Sequence, residues 1–309
     1  MSDTISREVA GFERKMQASD GLNSTVRSSA RLFPALFSRA RGSITDRERT
    51  KGNRLLFRCW SAELWAQQSR NQSALTEYLT SDAVVHGFDI ATPAKLEFLQ
   101  TFSSLVLRER GLKYRVQLTA PTAANAVEVA LTISRKVTGR NNVVSFTRGF
   151  HGVGLRETAV TGTRSHSRDR GHPLIGVTFA PYDGVFGRTV DTAEQLRSLL
   201  MDKSTGIDSP AAVLVETVQE GGINVASKDW LRSIQAIAKE VGAIFVIDDT
   251  QMGCGRTGDC FSFEFARLSP DIVVLSKSLS GYGLPLSMLL IREDFDALHP
   301  GRSHGYIPR

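Results

Sequence analysis

Apolar positions along this chain fall into two patterns. Four short runs, Val143–Phe146 (broken only by Ser145), Ala211–Val215, Ile244–Ile247 and Ile272–Leu275, are too brief for helices and rich in β-branched residues. That is the pattern of parallel strands buried on both faces. Around them, apolar residues recur at helical spacing. Thr92 as N-cap and Pro93 behind it open a helix with a Leu99, Phe102 and Val106 stripe, stopped by Gly111. A second helix runs from about Ala124 to Val137, with Gly139 past its end. Thr192 with Gln195 reads as a capping box before Leu196, Leu199 and Leu200, and Ser227 caps a helix carrying Trp230, Ile234, Ile237 and Val241. Residues 72–80 are helical by the spacing of Leu75, Tyr78 and Leu79, and Leu55–Phe57 reads as a short strand. Strands alternating with helices predict an α/β fold with a mostly parallel, doubly wound sheet.

In such a sheet, ligands sit outside the carboxyl ends of the strands. The run Ile244–Ile247 leads into Asp248, and Ile272–Leu275 ends just before Lys277, so an acid and an amine are aimed at one crevice. Pyridoxal phosphate needs that pair: a lysine for its aldehyde and a carboxylate for its pyridine nitrogen. The competing reading is a strand-end aspartate in a turn and a surface lysine. Gly253, Gly255 and Gly258 also spell the G-x-G-x-x-G of dinucleotide sites. That fingerprint should open a helix at once and be followed by an acidic residue about 20 positions on. Here Asp248, Asp249, Thr250 and Gln251 precede the first glycine, and Phe261, Phe263 and Phe265 alternate afterwards as in extended chain. A nicotinamide enzyme is disfavoured on those grounds.

Composition narrows the class without naming a chemistry. With 309 residues, 41% hydrophobic and 23% charged, the chain has room for one large domain and a smaller one. The net charge of +6 is spread out, and the basic stretches 31–58 and 164–170 lack the interleaved aromatics of a nucleic-acid motif, so no nucleic-acid partner is expected. Cys59, Cys254 and Cys260 form no metal spacing and suit a reducing cytoplasm; the six histidines form no metal motif either. Neither a leader nor an apolar stretch of membrane length is visible, which predicts a soluble, cytoplasmic protein with no membrane partner.

The segments APTAANAVE, GFHG, VETVQEGGINVAS, IDDTQMGCGRTG and LSKSLSGYGLP, taken as a set, resemble class III, fold-type I pyridoxal-phosphate aminotransferases over roughly residues 25–301. VHGFDIAT at 85–92 and IREDFDALHPG at 291–301 are similar to the branch that opens ectoine synthesis, moving an amino group from glutamate to aspartate semialdehyde. The resemblance implies that Lys277 is the catalytic lysine that carries the cofactor. Asp248 would hold the pyridine nitrogen, Gln251 would lie near the ring hydroxyl, and Phe150, followed by His151, would stack on the ring. Ala123 and Ala124 stand where the family has a glycine and a hydroxyl residue at its phosphate turn. Glu220 matches a glutamate near the substrate, in a loop one glycine short. Trp60 and Trp65 stand in a segment that is glycine-rich in the family, and Tyr306 stands where a threonine is offered to the partner's phosphate.

By the same resemblance, the substrates are an amino acid and an oxo acid, and the protein is a homodimer. Residues 1–60 would belong to the small domain, 61–301 to the large cofactor domain, and 302–309 to a truncated end lacking the C-terminal portion that completes the small domain. With that portion and the phosphate hydroxyls missing, little turnover is expected, and a non-catalytic relative is the alternative.

Overall fold

The four apolar runs form the middle of one seven-stranded sheet. The computed structural model describes residues 69–84, 91–163, 176–281 and 284–296. The readings at Leu55–Phe57, Cys59, Trp60, Trp65, residues 85–90 and 164–170, and Tyr306 fall outside those residues. The sheet strands are β1 (Tyr114–Leu118), β2 (Val143–Phe146), β3 (Val177–Ala180), β4 (Ala212–Val215), β7 (Ile244–Asp248), β8 (Ile272–Leu275) and β9 (Met288–Arg292), while β5 (Val218–Gln219) and β6 (Asn224–Val225) form a separate hairpin. The spatial order is β1-β9-β8-β7-β4-β2-β3. From β8 through β3 the pairings are parallel; β9 is antiparallel to both β8 and β1, so β9 alone runs the other way. Only residues 276–287 separate β8 from β9, the described ones among them forming just the 3-10 turn Lys277–Ser280, and neighbouring strands joined by so short a connection pair antiparallel.

Each central strand is buried on both faces by alternation. Val213, Val215, Phe245, Ile247, Val273 and Leu275 enter one core layer, with Phe146, Tyr182, Trp230 and Phe263. Their neighbours Ala212, Leu214, Ile244, Val246, Ile272 and Val274 enter the opposite layer, against Ala126, Val127, Ala130 and Leu131. Successive strand residues point to opposite faces, so a sheet with helices on both sides needs apolar residues at every position.

Among the described residues, the α-helices are α1 (Ser69–Thr80), α2 (Pro93–Phe102), α3 (Ala123–Thr138), α4 (Leu155–Val160), α5 (Thr192–Met201) and α6 (Lys228–Glu240). Thr92 caps α2 as expected, its hydroxyl accepting from the Lys95 amide; a π turn and a 3-10 turn then extend the helix to Gly111, at φ 64°. The cap of α5 sits one residue earlier than the sequence predicts. Asp191, not Thr192, accepts the amides of Ala193 and Glu194, because a short carboxylate outcompetes a hydroxyl already bonded elsewhere. Thr192 instead accepts the Trp230 indole N–H at 2.8 Å. Ser262–Ala266, read as extended from its alternating phenylalanines, is a 3-10 turn; Phe261 and Phe263 stack at 5.3 Å on its inner side. Among the described residues, no helix is long and apolar enough to cross a membrane.

Trp230 ties α6 to the sheet, its ring lying 5.0 Å from Phe146 and 4.9 Å from Tyr182. We expect Trp230→Ala to lower the unfolding free energy by about 3–5 kcal/mol. Trp230→Phe, which keeps the ring and loses the bond to Thr192, should lose only about 1 kcal/mol beyond the size change. Urea unfolding measures both; equal losses in the two variants would contradict the packing role of the ring.

Candidate functional site

The parallel strands β2, β4, β7 and β8 present their carboxyl ends on one edge, and each delivers a polar side chain there. Strand β7 ends on Asp248, which is 7% exposed. A lone ionised carboxylate at that depth is unfavourable, so it needs partners. His151, from the loop after β2, supplies one: Nδ1 lies 2.7 Å from Asp248 Oδ2. The Thr250 amide donates to Oδ1 at 3.2 Å. Burial pushes Asp248 upward, but the hydrogen bond and charge of His151 outweigh it, and the carboxyl stays below its usual range. In turn the same pair holds His151 above the usual imidazole value, although burial works against its charge.

Lys277 follows β8 and adopts φ 52°, a left-handed conformation that non-glycine residues rarely take. Its ammonium donates to Gln251 Oε1 and lies 3.3 Å from Glu220 Oε2. Lys277, Gln251 and Glu220 therefore meet, although they come from three different loops. Strand β7 pairs with β8 so that Asp248 stands opposite Val274, three residues before Lys277. The acid and the amine thus arise from adjacent strand ends, as the sequence predicts.

Phe150 is half-buried beside His151, and its amide donates to Glu216 Oε2 at 3.1 Å. Ala123 and Ala124 open α3, capped by Thr122, whose hydroxyl accepts the Asn125 amide at 3.2 Å. The turn before α3 is stitched to β9 by Ser287, whose hydroxyl donates to the Ala120 and Thr122 carbonyls at 2.6 and 2.9 Å. Ser287 was not singled out in the sequence, since nothing marks a serine just before a strand as a brace. Gly152 brings the Phe150–His151 loop against α3: a Cβ there would lie 2.9 Å from Ala124 Cβ. The helix N-terminus, with its unsatisfied amides, is thus part of the same edge.

The three glycines of the dinucleotide spacing sit in turns between β7 and the 3-10 turn and open no helix. Among the described residues, no group of three or more His, Cys, Asp or Glu side chains is arranged to hold a metal ion.

These residues fit pyridoxal phosphate by the chemistry of the donor set. A buried carboxylate held ionised suits a pyridinium, and a lysine suits an aldehyde. The open start of α3 suits a phosphate, without a hydroxyl from Ala123 or Ala124.

A family model described as aminotransferase class-III matches residues 93–306. An uncharacterized aminotransferase of Sinorhizobium fredii is 48% identical over 307 residues, covering 97% of this chain and 68% of the relative. The diaminobutyrate–2-oxoglutarate transaminase of Halomonas elongata is 44% identical over 292 residues, covering 94% of this chain and 69% of the relative; that of Bordetella parapertussis is 46% identical, covering 93% and 66%. Among solved structures, an S-selective transaminase from an Arthrobacter species matches with a TM-score of 0.68 at 23% identity, covering 78% of this chain and 55% of that one. An amine transaminase from an uncultivated Pseudomonas species, in its PLP-bound form, matches at TM-score 0.67 and 24% identity, covering 75% and 55%. The chain thus spans about two thirds of its curated relatives' length and just over half of the solved chains.

Burial pushes both Asp249 and Glu216 up to about 7. Asp249 is 1% exposed and accepts the Ser262 amide at 3.0 Å. A carboxyl whose folded value is raised binds its proton more tightly when folded. Its stabilising effect is complete below the unfolded value near 4 and is lost as pH rises towards 7. The unfolding free energy should therefore fall between about pH 4.5 and 7.5, by at most a few kcal/mol. Asp249→Asn should flatten that fall. Chemical denaturation at several pH values provides the check, and an unchanged slope in the variant would exclude Asp249 as a source.

Proposed function

This chain belongs to the aminotransferase class-III family, and we propose from that premise that it holds pyridoxal phosphate at the carboxyl edge of its sheet for amino-group transfer. The observation that carries this reading is the pairing of an ionised, buried Asp248 with Lys277 on the neighbouring strand end. When bound, the cofactor supplies an electron sink for the carbanion formed at the amino acid's α-carbon.

The side chains would divide the remaining work. Asp248 keeps a proton on the pyridine nitrogen, and His151 keeps Asp248 ionised and oriented. Phe150 offers an aromatic face. Lys277 would hold the cofactor's aldehyde, and its Nζ is the group that would move the proton at the substrate's α-carbon. Gln251 accepts from Lys277 in this structure and would serve the ring hydroxyl. Glu220, also on Lys277, would serve the substrate. The amides at the start of α3 take the phosphate, without a hydroxyl from Ala123 or Ala124.

The substrates we propose are those of the diaminobutyrate–2-oxoglutarate type, supported by relatives of that name at 44% and 46% identity. A homodimer in the cytoplasm, with residues 1–60 in a small domain and 61–301 in a large one, completes the reading. Exposed Val153 and Leu155 at the start of α4, and Ile223 and Val225 in the β5–β6 hairpin, are apolar surface that a second copy would cover. A non-catalytic cofactor-binding protein is the second reading, favoured by the two alanines at the phosphate turn.

Borohydride treatment of the protein mixed with pyridoxal phosphate should fix the cofactor to Lys277, located by peptide mass mapping, and Lys277→Ala should abolish the label. Label on other lysines alone would defeat the reading. Ala124→Ser restores one hydroxyl, and a hydrogen bond to a charged group contributes about 1.5–3 kcal/mol, so cofactor affinity should rise roughly tenfold or more. Equal affinities would show that the start of α3 does not meet the phosphate. Turnover of glutamate with aspartate semialdehyde separates the enzyme from its non-catalytic alternative.

A further inference from the structure

Glu216 is the first residue beyond β4 and is 5% exposed, yet none of the roles above uses it. Its position is over-determined. The Tyr182 hydroxyl donates to the Glu216 carbonyl at 2.8 Å, and the Phe150 amide donates to Glu216 Oε2 at 3.1 Å. The backbone of Glu220 also favours the charged form of the carboxylate. One side chain therefore joins the loop of Phe150 and His151 to the loop of Glu220, the two flanks of the crevice.

Gly149 shows what lies between Glu216 and His151. A Cβ on Gly149 would stand 3.2 Å from His151 Nε2 and 3.4 Å from Glu216 Oε2. Both atoms thus line the space over one glycine, where any side chain would be crowded. The other ring nitrogen, Nδ1, is already bonded to Asp248. The imidazole therefore has one carboxylate on its Nδ1 edge and a second near its Nε2 edge.

We propose that Glu216 is a positioning residue of this site, acting through His151: its carboxylate selects the doubly protonated imidazole and thereby sets how firmly Asp248 is held ionised. Asp248 alone could be satisfied by a neutral ring carrying its hydrogen on Nδ1. A second acid beside Nε2 makes the charged ring favourable, since both ring nitrogens are then donors. Two carboxylates and one imidazolium together in a buried space leave one excess negative charge, so one acid tends to hold a proton. Asp248 has the direct bond to His151, so below about pH 7 it is Glu216 that takes the proton, and its hold on the imidazolium is exerted once it ionises above that pH. The groups facing His151 are Asp248 and Glu216; those facing Glu216 are His151, Asp248 and the backbone of Phe150 and Glu220. Its elevated value, about 7, places the exchange near neutral pH.

The role rests on the reading of Asp248 as the cofactor's anchor, but the array can be tested without cofactor. Nitrogen-15 NMR of the histidine side chains follows His151 in the full chain, assigned by the signal lost in His151→Gln. We expect a two-step titration of the His151 ring, with one step near pH 7 where Glu216 ionises. In Glu216→Gln, which keeps an oxygen for the Phe150 amide, the curve should become single and its midpoint should fall by about one unit. A single-step wild-type curve, or an unchanged midpoint in a folded variant, overturns the proposal. Should Glu216→Gln not fold, the wild-type curve alone decides. Absence of a cofactor label on Lys277 would instead overturn the anchor reading while leaving this titration intact.

Discussion

The carboxyl edge of this sheet is arranged so that one negative charge, on Asp248, can remain in a place almost closed to water. Removing a carboxylate from water is costly, and the usual response is to take up a proton. His151 prevents that by presenting Nδ1 at 2.7 Å. That histidine is itself held from below by the Thr161 hydroxyl, which accepts the His151 amide at 3.1 Å and donates to the Glu157 and Gly152 carbonyls. Without the chain of support behind it, Asp248 would be an ordinary neutral carboxyl and the crevice would have no fixed charge to offer a pyridine ring.

The strands carry the positional accuracy, and the loops carry the strain. Four non-glycine residues adopt positive φ in loops at this edge: Arg148 after β2, Ile223 in the β5–β6 hairpin, Cys254 after β7 and Lys277 after β8. Each such residue costs about 1–3 kcal/mol and persists only where surrounding contacts over-determine it. Those contacts are present. Cys254 is bonded through its amide to the Cys260 carbonyl at 2.8 Å, and Arg256 reaches Ser278, beside Lys277, at 3.0 Å. The core beneath, packed on both faces of β4, β7 and β8, is the rigid frame against which that strain is held.

Much of this was legible in the sequence, for a physical reason. Strands buried on both faces read as near-continuous apolar runs, so β2, β4, β7 and β8 stand out, and the residues that follow them are the site. The strands β1 and β9, along with β3, were not foreseen. Tyr114–Leu118 lies at an edge and alternates, Val177–Ala180 is short with Phe179 exposed, and Met288–Arg292 follows a turn with no helix to announce it. The phenylalanines at 261, 263 and 265 misled because stacking of alternate rings in a 3-10 turn imitates strand periodicity. In the sequence Glu216 merely follows the run Ala211–Val215. Its link to the Phe150 amide joins residues 66 positions apart and leaves no local trace.

The central claim is that Asp248, kept ionised by His151, governs the protonation of the cofactor's ring. The most direct measurement is nitrogen-15 NMR of the protein loaded with pyridoxal phosphate labelled at the ring nitrogen. The account predicts a protonated ring nitrogen across neutral pH in the wild type and an unprotonated one in Asp248→Asn. His151→Phe should move the transition to lower pH, since an Asp248 that takes up its own proton no longer holds one on the ring. An unprotonated ring nitrogen in the wild type at pH 7, or identical spectra for the wild type and Asp248→Asn, would contradict it.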